Sequence, residues 1–428
     1  MNPALFALVV VFALTFILRL PIPFGMLAAA AIYFFIGGHD VGLMAEQVLS
    51  NLYSKYIIMA VPLFVFTAKV MNAGNITDRV FAFANALVGN LRGGIGHVNV
   101  VASIIFSGMT GSAVADASGL GIMEIEAMRK QGYDDGFSCA VTSSSATIGP
   151  VFPPSIPMIF YAMLSGASIG SLFLGGMIPG LLIGLALMIY IAIIAKKRRY
   201  PKGGEYTFRQ FLDNTIKAFP ALLTPVILLG GIYSGVTTAT EAGAVAAFYG
   251  LLISFFVYRA IGFKGLFIVL LDTVKTTGTL AIIVGAAFTF SYIVASEHIP
   301  DIIAGFLLGI TENKYLLLLI INILFLILGM FIDTSTITLV FIPMVLPLIE
   351  RVGIDLVHFG VLIVLNNMIG LSTPPFGMLL FIVSGVSGTP LQAIIKEALP
   401  MVFVLLIVLF LITYIPEIVL FIPNTFGR

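Results

Sequence analysis

The chain has 428 residues, of which 60% are hydrophobic and only 10% charged, with a formal net charge of +1. Soluble domains carry about 25% charged residues, so this composition belongs to a chain solvated by lipid. The balanced charge gives no footing for nucleic acid. The single cysteine excludes a disulfide or Cys-based metal cluster, and no G-x-x-x-x-G-K-[ST] stretch is present for direct use of ATP.

In chain order, apolar residues 4–18 lack a basic leader and a small-residue cleavage site, so they read as a retained first span. A second run covers 22–36. Residues 43–56 read as an amphipathic helix at the membrane interface, and 57–70 are apolar. Residues 76–91 place Val80, Phe81, Ala84, Leu87 and Val88 on one face, with Asp78, Arg79 and Asn85 elsewhere: another interfacial helix. Residues 93–131 are apolar, broken between Ser107 and Ser112, then apolar again. A helix that enters, breaks and returns is a re-entrant hairpin, tolerated only where protein or a cavity surrounds the irregular backbone. Residues 134–165 are interrupted at 148–155, and 169–195 are apolar. After the basic run Lys196, Lys197, Arg198 and Arg199 come apolar stretches at 219–233 and 238–258, then an amphipathic segment at 261–275 and a span at 276–295. A second hairpin, 315–352, breaks between Gly329 and Ser335. Residues 355–386 are interrupted at 369–376, and 399–422 are apolar. Runs shorter than ~20 residues must be short helices or lean on neighbours.

The halves repeat one another at a constant separation of 221 residues, as from Gly108 to Gly329. Met109 returns as Met330, Gly132 and Asp134 as Gly353 and Asp355, Ile148 and Gly149 as Ile369 and Gly370, and Phe160 and Pro179 as Phe381 and Pro400. Pro153 and Pro154 return as Pro374 and Pro375, the two Pro-Pro pairs of the chain. Repeats with interrupted hydrophobic segments at corresponding places point to a secondary transporter and its binding site. The expected fold is an all-α polytopic membrane protein of two inverted-topology repeats, each with a re-entrant hairpin and a discontinuous helix. With both termini outside and five crossings per half, Lys55, Lys314, Arg351 and Arg428 are the external basic residues. The other 17 of 21 fall inside, as the positive-inside rule asks.

Proline removes backbone donors, and the freed carbonyls with nearby hydroxyls make an oxygen cage suited to a small cation. The expected sodium ligands are Ser107, Gly108, Gly149, Phe152 and Pro154 in one half, and Gly329, Gly370, Thr373 and Pro375 in the other. Gly149 and Gly370 are expected to permit unusual dihedrals there. Helix N-termini after each break favour an anion. The substrate carboxylate is therefore expected between the hairpin tips, near Ser112, Ser155, Asp333 and Thr334. Asp333 and Asp116 are embedded carboxylates and hence functional candidates. Asp333 would face a substrate hydroxyl or amine, or help hold sodium. Glu241 reads equally as a functional group or a helix cap, and Asp134 and Asp355 read as N-caps. Cys139 reads as a buried small hydrophobe, and His39, His97, His298 and His358 are too scattered for a metal site.

The motifs Ser-Gly-x-x-Gly-Ser (107–112), Ile-Gly-Pro-x-x-Pro-Pro-Ser (148–155), Ala-Thr-Glu-Ala (239–242) and Ile-Gly-x-x-Thr-Pro-Pro-x-Gly (369–377) resemble those of the large membrane subunit of TRAP (tripartite ATP-independent periplasmic) transporters. The resemblance covers essentially the whole chain and is greatest to the sialic acid members. It implies an elevator-type ion-transporter fold in the bacterial inner membrane, importing an organic acid, with N-acetylneuraminate the expected substrate. No cofactor is implied beyond Na+ as coupling ion. The implied partners are a small four-helix membrane subunit, here a separate polypeptide, and a periplasmic substrate-binding protein. The matching division is scaffold 1–92, transport part 93–195, cytoplasmic linker 196–213, scaffold 214–313 and transport part 314–428. A stand-alone sodium–dicarboxylate transporter of the same architecture is the alternative. An intramembrane protease would need a Ser–His pair in adjacent spans, and inverted repeats suit alternating access better than a passive channel.

Overall fold

A computed structural model describes residues 2–18, 20–204 and 206–426; Arg428, one of the external basic residues named above, lies outside them. The described residues are helical, and their one paired extended contact is an isolated bridge between Arg92 and Lys202. The first half runs α1 (Pro3–Ile17), α2 (Ile22–Gly37), α3 (Gly42–Ser54), α4 (Ala60–Ala73), α5 (Ile76–Val88), α6 (Gly94–Thr110), α7 (Ala113–Ser118), α8 (Leu120–Lys130), α9 (Asp135–Ser145), α10 (Ile156–Ser165) and α11 (Ile169–Lys197). The second runs α12 (Phe208–Tyr233), α13 (Ala239–Leu252), α14 (Phe263–Ser296), α15 (Ile299–Ile310), α16 (Lys314–Phe331), α17 (Thr334–Arg351), α18 (Leu356–Leu371), α19 (Met378–Ser387), α20 (Leu391–Tyr414) and α21 (Glu417–Phe426). Eight helical stretches among the described residues are long and apolar enough to cross a membrane.

The halves match helix for helix except at two places where the first half splits a helix, and α21 has no counterpart in the first half. Residues 261–275, expected as a separate amphipathic helix, instead open the 34-residue α14. The first half is bent at the same place, at Lys55 (φ −96°, ψ 91°) between α3 and α4. The cause is Pro62, in the first turn of α4, which lacks an N–H and would clash with the carbonyl four residues back. Its counterpart in the second half is Ile283, and the helix continues. Likewise α7 and α8 part at Gly119, a weak helix former, whereas α17 runs unbroken through Val340.

α4 packs on α13 and α14, and α14 also on α2 and α3; α9 packs on α20, and α16 on α18. Fully buried aromatic side chains such as Phe106, Phe137, Tyr161, Phe325 and Phe359 fill the interior. α5 turns Ile76, Val80 and Ala84 into protein, against α6 and α12, while Leu87 stays exposed. Its apolar stripe is thus largely covered by neighbouring helices. α3 buries none of its side chains fully, and Tyr53, Phe263 and Phe267 stand 86%, 83% and 68% exposed. That surface needs lipid or a partner to cover it.

Candidate functional site: a cavity between two hairpin tips

The two hairpins turn at equivalent points. α6 ends at Thr110, Gly111 reverses the chain with φ +60°, and Ser112 caps α7, its Oγ accepting the Ala115 N–H at 3.3 Å. α16 ends at Phe331, and Asp333 caps α17. Its Oδ1 accepts the Thr336 N–H at 3.1 Å and its Oδ2 accepts the Thr336 hydroxyl. The turns therefore fall within the predicted breaks, at the end of the first and the middle of the second. Ser107, Gly108 and Gly329 belong to the last turns of their helices, where carbonyls run out of intrahelical partners. The Ser107 carbonyl is itself taken by the Gly111 N–H at 3.2 Å, and the Ser107 hydroxyl donates to the Ser103 carbonyl at 2.6 Å.

Each tip docks on the interrupted segment of its own half. In the first, α9 passes through a short 3-10 turn (Ala146–Ile148) into residues 149–155 before α10 restarts. Gly149 lies against the Ser112–Ala113 backbone, and a Cβ on Gly111 would sit 2.5 Å from the Pro154 carbonyl oxygen. In the second, a Cβ on Gly370 would sit 2.6 Å from the Gly329 Cα, and the Gly377 N–H donates to the Met330 carbonyl at 3.1 Å. Gly149 keeps helical dihedrals (φ −46°, ψ −57°), and Gly370 lies within α18. Both glycines therefore serve close backbone approach, and the expected unusual dihedrals are absent at these two residues. Thr373 is buried, its hydroxyl donating to the Ile369 carbonyl at 2.6 Å. Phe152 is half-buried, Pro154 buried and Pro375 exposed in the connecting loops. Thus Gly149 and Pro154 meet the first tip and Gly370 meets Gly329 in the second, whereas Phe152 packs against Gly180 of α11.

Between the tips lies a cavity of about 450 Å³. Ser112, Asp333 and Thr334 line it, as do Pro150, Pro157, Met368 and Leu371 from the interrupted segments. Thr334 Oγ1 is buried without a hydrogen-bond partner among the described residues. Ser155 is the exception among the expected substrate residues: it is fully buried and its Oγ turns into the first turn of α10, accepting the Met158 N–H at 3.2 Å. It acts there as an N-cap, away from the cavity wall. Sequence reasoning does not single out the further lining residues, Lys69 and Asn72 on α4 with Thr276 and Leu280 on α14.

The remaining carboxylates separate by environment. Glu241 is exposed and completes a capping box, accepting the Thr238 N–H at 2.7 Å. Asp355 caps α18 through the Val357 and His358 N–H groups. Asp134 occupies the cap position of α9, but its side chain instead accepts from Arg198 at 3.0 Å and Tyr200 at 2.6 Å. Arg198 also binds Glu397 at 2.7 Å, tying the end of α11 to α20. Asp116 and Glu124 are fully buried with no hydrogen-bond partner among the described residues, and neither lines the cavity. Cys139 is buried, as expected.

Comparison with known proteins places this architecture. The family described as "Tripartite ATP-independent periplasmic transporter, DctM component" matches residues 8–418. The chain belongs to this DctM family. It is 42% identical over 408 residues to the sialic acid TRAP transporter large permease protein SiaM of Vibrio cholerae, covering 95% of each chain. It is 39% identical over 372 residues to the C4-dicarboxylate TRAP transporter large permease protein DctM of Pseudomonas aeruginosa, covering 87% of each. A solved structure, that of the Alcanivorax borkumensis YdaH transporter, shares the fold with a TM-score of 0.65 over 86% of both chains at 12% identity. The chain is therefore a large permease subunit of a multi-pass transporter, and its relatives carry names for more than one substrate.

Proposed function

We propose that this permease imports an organic acid of the sialic acid type, received from a periplasmic binding protein and driven by sodium through an elevator movement. The observation that carries this is the cavity into which both hairpin tips project Ser112, Asp333 and Thr334. A space of about 450 Å³ lies in the range typical of small-molecule sites. Sodium ions would sit at the two junctions, bridging last-turn carbonyls of α6 and α16 to the segments around Gly149 and Gly370, with the Thr373 hydroxyl as a side-chain donor. All these donors are oxygens, which suits a hard monovalent cation. An ion bridging tip and segment holds Ser112 or Asp333 in place, so ion and substrate raise each other's affinity by the same factor.

In this reading α6–α11 and α16–α21 move as the transport part, while α1–α5 and α12–α15 form a scaffold. Both termini face the periplasm. The exposed apolar surface of α3 and the start of α14 is where the scaffold meets a small membrane subunit. The test is reconstitution of the permease in liposomes with its small subunit and binding protein, omitting each in turn. Uptake of N-acetylneuraminate that requires all three supports the proposal; full uptake by the permease alone overturns it in favour of a stand-alone transporter.

A further inference from the structure

We propose that Lys69 pairs with the substrate carboxylate, and that Lys69 and Asp333 together select acids with one anionic end and one hydrogen-bond-donating end. This deepens the reading of the cavity as the substrate site and rests on it. Among the described residues Lys69 is the one cationic side chain lining the cavity. It shares a face of α4 with Val65 and Asn72, one turn before and after it, and both line the same space, as does Ala68. An ammonium within a membrane-embedded bundle is costly and ordinarily finds an anionic partner. Among the described residues no carboxylate lies within ion-pairing distance of Lys69; the ion pairs of the chain lie elsewhere.

Asp333 lines the same cavity with its oxygens engaged by Thr336. Two opposite charges thus share one space without neutralising one another, an arrangement stabilised by a ligand that meets each with its complement. A carboxylate satisfies Lys69. Hydroxyl or amide N–H donors satisfy Asp333, and the unpartnered hydroxyl of Thr334 adds a further polar contact beside it. A dicarboxylate would place its second anion toward Asp333, where like charges disfavour each other. The cavity is therefore built for a polyhydroxylated monocarboxylate.

The experiment measures ligand binding to the complex of permease and small subunit in nanodiscs with sodium, without binding protein, so that delivery plays no part. The probes are N-acetylneuraminate, its uncharged methyl ester, and succinate. Wild type is expected to bind the acid at least about tenfold more tightly than the ester, the effect of one charge-assisted hydrogen bond, and to bind succinate more weakly than the acid. Lys69→Gln erases the acid-over-ester preference while leaving the ester's affinity unchanged, and Lys69→Arg keeps the preference. Lys69→Met, which retains the aliphatic stem, gives the same readout should the Gln variant assemble poorly. A Lys69→Gln complex that keeps the wild-type preference overturns the role of Lys69, and succinate binding more tightly than the sugar acid overturns the selectivity. Wild type binding none of the three probes overturns the substrate-site reading itself, and this inference with it.

Discussion

Replacing Gly370 by alanine forces α18 away from α16 at the junction where the second sodium is proposed to sit. The new Cβ would lie 2.6 Å from both the Cα and the carbonyl carbon of Gly329. Carbon atoms in ordinary contact are ~3.5–4.0 Å apart, so the helices must separate by about 1 Å. The obstructing atoms are backbone and cannot swing aside. Alanine favours a helix over glycine by about 0.5–1 kcal/mol, while overpacking costs about 1–3 kcal/mol. The net effect expected is a destabilisation of about 1–2 kcal/mol. The same separation moves the Gly329 and Gly370 carbonyls relative to each other. Disturbing the groups that orient metal ligands typically costs about 10–100-fold in affinity, so the sodium needed for half-maximal uptake should rise at least about tenfold. Gly385→Ala is the control: this glycine lies in α19 with nothing within 4 Å of its would-be Cβ, so alanine there should stabilise. Thermal unfolding of the purified membrane complex and sodium titration of uptake read both effects. A Gly370→Ala complex with wild-type melting temperature and wild-type sodium dependence would refute the reasoning.

Two further pairs of variants separate binding from structure. Asp333→Asn keeps a capping side chain but loses a charge in the cavity, so substrate affinity should fall by about tenfold with little change in melting temperature. Ser155→Ala removes a buried cap away from the cavity and should show the reverse, a loss of about 1 kcal/mol in stability with KM unchanged. Asp116→Asn and Glu124→Gln each remove a carboxylate buried without a partner, and each should raise the melting temperature of the complex. A fall in melting temperature for both would show instead that their charge is compensated.

Much of this architecture is legible because the chain repeats its helix breakers. The Pro-Pro pairs at 153–154 and 374–375 and the glycines at 149 and 370 recur at identical spacing, and each lies where a hairpin tip meets an interrupted segment. Differences between the copies are equally informative, since Pro62 against Ile283 and Gly119 against Val340 account for the two places where the first half splits a helix that the second continues. Lys69 is not legible in this way. It falls near the end of an apolar run, where a lysine ordinarily snorkels to the interface. Its place in the cavity depends on α4 packing beside tips that lie far away in sequence. Ser155 follows a Pro-Pro pair just as a ligand or a cap would, and only the direction of its hydroxyl decides. Glu124 is hidden by its neighbours Glu126, Arg129 and Lys130, which give the segment the appearance of a solvated helix, although the Glu124 side chain turns inward.

The central claim is that two oxygen-rich junctions couple sodium to an acid held between the hairpin tips. Its most direct measurement is uptake of labelled N-acetylneuraminate into liposomes carrying the complete complex, with an inward sodium gradient and with sodium replaced by potassium on both sides. Accumulation above the external concentration is expected with the sodium gradient and none in potassium. Equal accumulation in the two conditions would contradict it.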